Sequence, residues 1–183
     1  IAERFEFEGR KFGRLTALAV PQPGGWHLQR LEIVNPESTL NVDGSWALSQ
    51  FPRTDINVRL EVADIGKFFA RMGWPEGVKG GSAILEGPVA WTGSPYRLDI
   101  PSLSGKLKLE AKSGRFQQIE PGVAKLLGIL SLQALPRRVT LDFQDIFSKG
   151  FTFDSIDANL DIGSGVAQTA DFHMAGSSAS VKM

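Results

Sequence analysis

Apolar residues return at every second position through most of this chain, in runs bounded by glycine or proline. Ile56, Val58, Leu60 and Val62 alternate with Asp55, Asn57, Arg59 and Glu61. Ala83, Leu85, Val89 and Trp91 share one parity, as do Leu103, Leu107, Leu109 and Ala111, and then Val139, Leu141 and Phe143. A period of two sends successive side chains to opposite faces of a strand, so each run builds a sheet with one apolar and one hydrated face. The pattern predicts strands over 3–9, 12–20, 26–34, 38–42, 45–50 and 55–63. Further strands are predicted over 82–92, 96–100, 103–112, 114–118, 138–144, 151–162, 166–174 and 178–183.

Several breaks in the pattern carry their own meaning. Asp43-Gly44 is either a tight hairpin turn or a glycine bend inside one long strand. The apolar parity flips between Leu28 and Leu31, and again at Asp154-Ser155, which predicts a bulge at each place. Pro88 inside a strand marks an edge or a bulge. Asp64 reads as a helix N-cap, with Ile65, Phe68, Phe69 and Met72 at helical spacing and Gly73 closing the helix. Pro121-Gly122 opens a second predicted helix from Val123 to Leu135, ended by Pro136.

The order is strands, a short helix, strands, a longer helix, strands. It predicts one segment over 1–183 with sub-units 1–81 and 82–183, each made of strands plus one helix. Both chain ends read as strands cut short, as in a piece of something longer. Two short helices cannot cover roughly a dozen strands. Either the sheet closes on itself as a sandwich or barrel, or it curls into an open trough with an apolar lining. A trough exposes more than the ~400 Å² of contiguous apolar surface that water tolerates, and so calls for an apolar ligand. One acyl chain of ~14 methylenes would contribute about 11 kcal/mol before entropy costs, at ~0.8 kcal/mol per methylene.

Composition narrows the field. Twenty basic residues balance twenty acidic ones, which speaks against nucleic acid, because phosphate binding needs clustered excess cation. No cysteine is present, so disulfides, thiolate metal sites and cysteine nucleophiles fall away. No run reaches the ~20 apolar residues that cross a bilayer as a helix. His27 and His173 lie at strand positions without a paired ligand, and Ser102, Ser104, Ser177 and Ser178 lack a nucleophile-elbow context. Asp142, Asp145, Asp154, Asp157 and Asp161 do not follow the spacing of a calcium loop and read as outer-face carboxylates. No catalytic residue, metal site or cofactor is expected.

The predicted helix 123–135 is apolar nearly all round, yet at ~1.5 Å per residue it spans only about 20 Å. Its plain role is to lie on the apolar sheet face. Its alternative role is a gate or plug, with Leu126, Leu127, Ile129 and Leu130 over a groove, and with Arg137 and Arg138 placed to meet a phosphate headgroup.

The run Glu120-Pro121-Gly122, then Leu126 through Arg138, Leu141-Asp142-Phe143 and Phe147 through Asp154 resembles the AsmA-like C-terminal region of YhdP-type proteins. Asp64 through Phe68, Gly80-Gly81 and Trp91-Thr92-Gly93-Ser94-Pro95 fit the same pattern. The resemblance implies a periplasmic portion of a large Gram-negative envelope protein, anchored in the inner membrane by parts outside these residues. It implies a long curled β-groove that carries phospholipid toward the outer membrane, with no catalytic residues to carry over.

Pattern and resemblance together predict a mainly β fold: a strongly curved antiparallel sheet forming an open groove, with two short helices. The expected function is a non-enzymatic lipid conduit. Its candidate lining residues are Ile56, Val58, Leu60, Val62, Leu85, Val89, Trp91, Leu107, Leu109, Val139, Leu141, Phe143, Phe151 and Phe153. The alternative is a closed sandwich that serves an envelope complex as a structural or interaction module. In either case the edge strands are free to pair with another copy.

Overall fold

The structure, a computed structural model, describes residues 1–7, 9–74, 77–117, 151–176 and 179–182. Eleven strands among them form one antiparallel sheet. They are β1 (Ala2–Phe7), β2 (Arg10–Gln22), β3 (Gly25–Asn35), β4 (Ser38–Ala47), β5 (Arg53–Val62), β6 (Val78–Thr92), β7 (Ser104–Phe116), β8 (Phe151–Gly163), β9 (Val166–Gln168), β10 (His173–Gly176) and β11 (Ala179–Lys182). From β1 to β8 each strand pairs with its neighbours in the chain, β10 and β11 continue the order, and β9 pairs with the end of β8. The sheet is curved and does not close, so β1 and β11 stand at opposite edges. One α-helix, α1 (Ile65–Arg71), joins β5 to β6, and a short 3-10 turn (Ile100–Ser102) lies between β6 and β7.

Helix α1 starts where the sequence places it. Asp64 is extended, and its carboxylate accepts from the backbone N–H of Lys67 at 3.0 Å, which draws the carboxyl below its ordinary range. The second predicted helix and the strand 138–144 lie outside the described residues. The 96–100 stretch is not a strand. Asp99 turns its carboxylate onto the Ser102 N–H (3.1 Å) and caps the 3-10 turn, with Pro101 inside it. The predicted strand 166–174 is split, because Asp171 accepts from the Asn159 N–H (2.8 Å) where a strand partner would otherwise bond.

Gly44 is a bend within one strand: β4 runs unbroken from Ser38 to Ala47, and Gly44 lies opposite Ile56. A Cβ there would come within 2.2 Å of the Asp55 carbonyl oxygen. The bulge at Leu28–Leu31 is present as a register shift in both the β2–β3 and β3–β4 pairings. Pro88 sits in an internal strand. The β6–β7 pairing steps from Glu86↔Lys108 to Val89↔Gly105, so the missing proline N–H falls in a gap of the ladder.

The second parity flip has a different construction from a single bulge. β7 and β8 keep one register from Gly105↔Ile162 to Phe116↔Phe151. Phe153 and Ile156 nevertheless belong to the same buried cluster. The flip is shared by three adjacent strands: Gly80 and Gly81 in β6 and Ser113 in β7 all take positive φ, level with Asp154 in β8. A crease therefore crosses the sheet, and all three strands change facing together without losing register.

The core straddles the crease, with the row Val62–Ala83–Ala111–Ile156–Met174 on one side and Val78 and Phe153 on the other. Val62, Ile65, Val78, Ala111, Phe153, Ile156 and Met174 are buried together, with Phe68, Phe69 and Phe116 packed against them. Helix α1 covers this end and is held there by an ion pair. Arg71 donates through Nε and Nη2 to the buried carboxylate of Glu37, and through Nη1 to the Lys11 carbonyl at 3.0 Å. The guanidinium hydrogen bonds hold Glu37 below the ordinary glutamate range, against the opposing effect of burial. Arg71→Ala leaves that carboxylate buried and unpaired, at a cost of about 1.5–3 kcal/mol. Because the folded-state pKa is depressed, the pair's contribution is present above the ordinary glutamate pKa and is lost as pH falls through the lower folded value. Denaturant melts of wild type and Arg71→Ala at neutral and acid pH will show a gap at neutral pH that narrows in acid.

Candidate functional site

The registers align the apolar positions of neighbouring strands into ladders that run across the sheet. One ladder is Leu15–Ile33–Leu40–Leu60–Leu85–Leu109–Ala158, continuous through seven strands. Beside it runs Ala17–Leu31–Val42–Val58–Gly87, then Leu107–Leu160. A third holds Leu28, Gly44, Ile56, Val89, Gly105 and Ile162. Six strand spacings of ~4.8 Å make the first ladder about 29 Å long, close to the ~30 Å hydrocarbon thickness of a bilayer.

The side chains at the middle of these ladders are half-buried. Leu40, Val42, Ile56, Val58, Leu60, Leu85, Val89, Leu107, Leu109 and Leu160 all fall in that class. They lie opposite their cross-strand neighbours, while the described covers flank the ladders at the two ends of the strands. At one end is α1 with the core beneath it. At the other, the 93–97 loop folds over a row of Trp26, Trp46, Thr54 and Trp91. Thr54 donates to the Gly93 carbonyl (2.9 Å) and the Trp91 indole donates to the Ser94 carbonyl (3.1 Å), which ties the loop down. Tyr96 meets Trp46 edge to face, with ring centroids 6.0 Å apart.

The opposite face is charged and self-neutralising. Arg59 pairs with Glu61 and Glu86, Arg53 with Asp55, Lys106 with Asp161 and Lys108 with Glu110. These exposed pairs raise the pKa of Arg59 and Lys108 and lower that of Glu110, chiefly through side-chain hydrogen bonds. Three shallow depressions of about 750, 500 and 380 Å³ lie on this side. The largest is lined by Asn41, Asp43, Asn57, Arg59, Glu86, Lys106, Lys108, Asn159 and Asp161 among others. Mixed, paired charge of this kind is a wall facing water. His27 is exposed on that wall, opposite Ser45, and no group of His, Asp and Glu able to hold a metal ion occurs among the described residues.

Of the residues singled out from sequence, Ile56, Val58, Leu60, Leu85, Val89, Leu107 and Leu109 come together on the apolar face, half-buried between α1 and the 93–97 loop. Three others are closed over. Val62 lies in the core beside α1, Trp91 lies by the 93–97 loop, and Phe153, 1% exposed, presses its ring onto Gly114. These three anchor the covers, and a guest molecule reaches them only if a cover moves. Phe151 begins β8 opposite Phe116. Val139, Leu141, Phe143, Leu126, Leu127, Ile129 and Leu130 lie outside the described residues. The same face also holds Leu28, Leu31, Ile33, Leu40, Val42, Leu160 and Ile162, which the sequence reading did not single out. Their alternation was available in the sequence, with the bulge between Leu28 and Leu31 restoring the common parity of β3.

The family model described as YhdP protein matches residues 1–183. The intermembrane phospholipid transporter YhdP of Escherichia coli (strain K12) is 30% identical over 179 residues, covering 97% of this chain and 14% of that protein. The chain thus spans about one seventh of the length of this curated relative. No solved structure matches it.

Proposed function

The chain belongs to the YhdP protein family, and we propose that its apolar sheet face carries the acyl chains of phospholipid as one segment of a longer, non-enzymatic conduit. The observation that carries this reading is the pair of aliphatic ladders, half-buried and crossing the sheet between its two covers. Acyl chains would lie across the strands, along the ladders. Successive rungs offer nearly the same aliphatic surface, and apolar contact has no direction. A chain can therefore advance by one strand spacing without losing much buried area. Headgroups stay in water at the margin of the face.

Among the described residues β1 and β11 are the edge strands of the sheet, to which further strands of a longer sheet can add. In this reading the segment lies in the periplasm between inner and outer membranes. Membrane attachment belongs to parts of the protein outside these residues. Among the described residues no helix is long and apolar enough to cross a bilayer.

Gentle purification followed by native mass spectrometry tests the proposal. Phospholipid retained at about one or more molecules per segment is the expected result, since a single buried chain of ~14 methylenes contributes about 11 kcal/mol before entropy costs. Lipid-free protein whose apolar face is protected by its own chain would support the closed structural module instead.

A further inference from the structure

We infer that a bound phospholipid lies with its glycerol-ester and headgroup region at the tryptophan margin of the apolar face. This inference rests on the proposed function. The two flanks of the ladders, at opposite ends of the strands, differ in kind. At the α1 end, Val62, Ile65, Val78, Phe153 and Met174 are buried, the Arg71 guanidinium is spent on Glu37 and the Lys11 carbonyl, and the Arg10 guanidinium lies over the Trp74 ring. At the other end the boundary is a row of indoles. Trp and Tyr suit the join between hydrocarbon and water, because an apolar ring carries a polar tip.

Within that row one group lacks a partner. The indole N–H of Trp46 is buried and meets no acceptor among the described residues. Trp91 and Thr54, by contrast, spend their donors on the 93–97 loop. What packs on Trp46 is Tyr96, itself 89% exposed. A ring so lightly held can swing aside at little cost, baring a donor at the flank of the ladders. Ester carbonyl and phosphate oxygens of a glycerophospholipid are acceptors that would satisfy it while its acyl chains lie over Val42, Ile56 and Leu85.

Two photoreactive phosphatidylethanolamines test this in the full chain, one with a diazirine on the headgroup amine and one with it near the acyl terminus. Headgroup adducts should fall on peptides containing Trp46 and residues 93–97, and acyl adducts on those containing Leu60, Leu85 and Leu109. Trp46→Phe keeps the ring but removes the donor, and should cut the headgroup adducts about three- to tenfold. Trp74→Phe, at the α1 end, should change nothing. Headgroup adducts beside α1, with acyl adducts still on the ladders, would overturn this orientation and leave the proposed function standing. Correctly placed headgroup adducts that ignore Trp46→Phe would overturn the role of the indole. Absence of acyl adducts from the ladders would overturn orientation and function together.

Discussion

Leu85→Glu should strip phospholipid from the protein by a hundredfold or more while leaving the sheet folded. Leu85 lies within the longest ladder, one rung from its centre, between Leu60 and Leu109. Every cation of β5, β6 and β7 within reach belongs to the other face or is already paired there. Without lipid, a carboxylate at this half-buried position remains hydrated and costs the fold little. Under an acyl chain it would be desolvated without a partner, a penalty of roughly 2–7 kcal/mol or more. At about 1.4 kcal/mol per tenfold change, even the middle of that range removes more than two orders of magnitude of binding. Lipid retained after purification and a thermal melt, measured side by side, will read the two effects separately. Val62→Glu, buried beside α1, should do the reverse and lose the fold itself.

Phe153→Ala should be the most destabilising single truncation in the described residues, at about 3–5 kcal/mol. Its side chain is 1% exposed, its ring lies 5.2 Å from that of Phe116, and it fills the space above Gly114. At roughly 2–4 °C per kcal/mol for a chain of this size, the midpoint should fall by on the order of 10 °C. Gly114→Val attacks the same contact from beneath, because a Cβ there would stand 2.4 Å from the Phe153 ring. Chemical denaturation of both variants checks the prediction. A loss under 1 kcal/mol for Phe153→Ala would mean that the crease, and the core it creates, is not packed as described.

The antiparallel sheet was legible because period-two alternation needs no tertiary knowledge. Its openness was not, since alternation fits a sandwich as well as a trough, and only the family resemblance pointed to an open groove. Each run fixed which residues share a face, and short connections made neighbours in sequence neighbours in the sheet. The N-cap at Asp64 was legible for the same reason, being a local hydrogen bond. What escaped was cooperative between strands. The parity flip at Asp154-Ser155 shows in one strand as a bulge, yet it is a crease shared with Gly80, Gly81 and Ser113, invisible until registers are known. The same holds for Phe153. Its alternation marks it as facing the apolar side, but only the position of α1 and Gly114 makes it core instead of surface. The 96–100 stretch failed differently, since its alternation of Tyr96, Leu98 and Ile100 was overridden by the Asp99 cap and Pro101.

A photo-crosslinking amino acid placed in turn at each position from 55 to 61 of β5, in cells making the full chain, tests the central claim most directly. An uncovered aliphatic wall serving as a lipid track predicts phospholipid adducts at 56, 58 and 60, and none at 55, 57, 59 and 61. Adducts on both parities, or on neither, would contradict it.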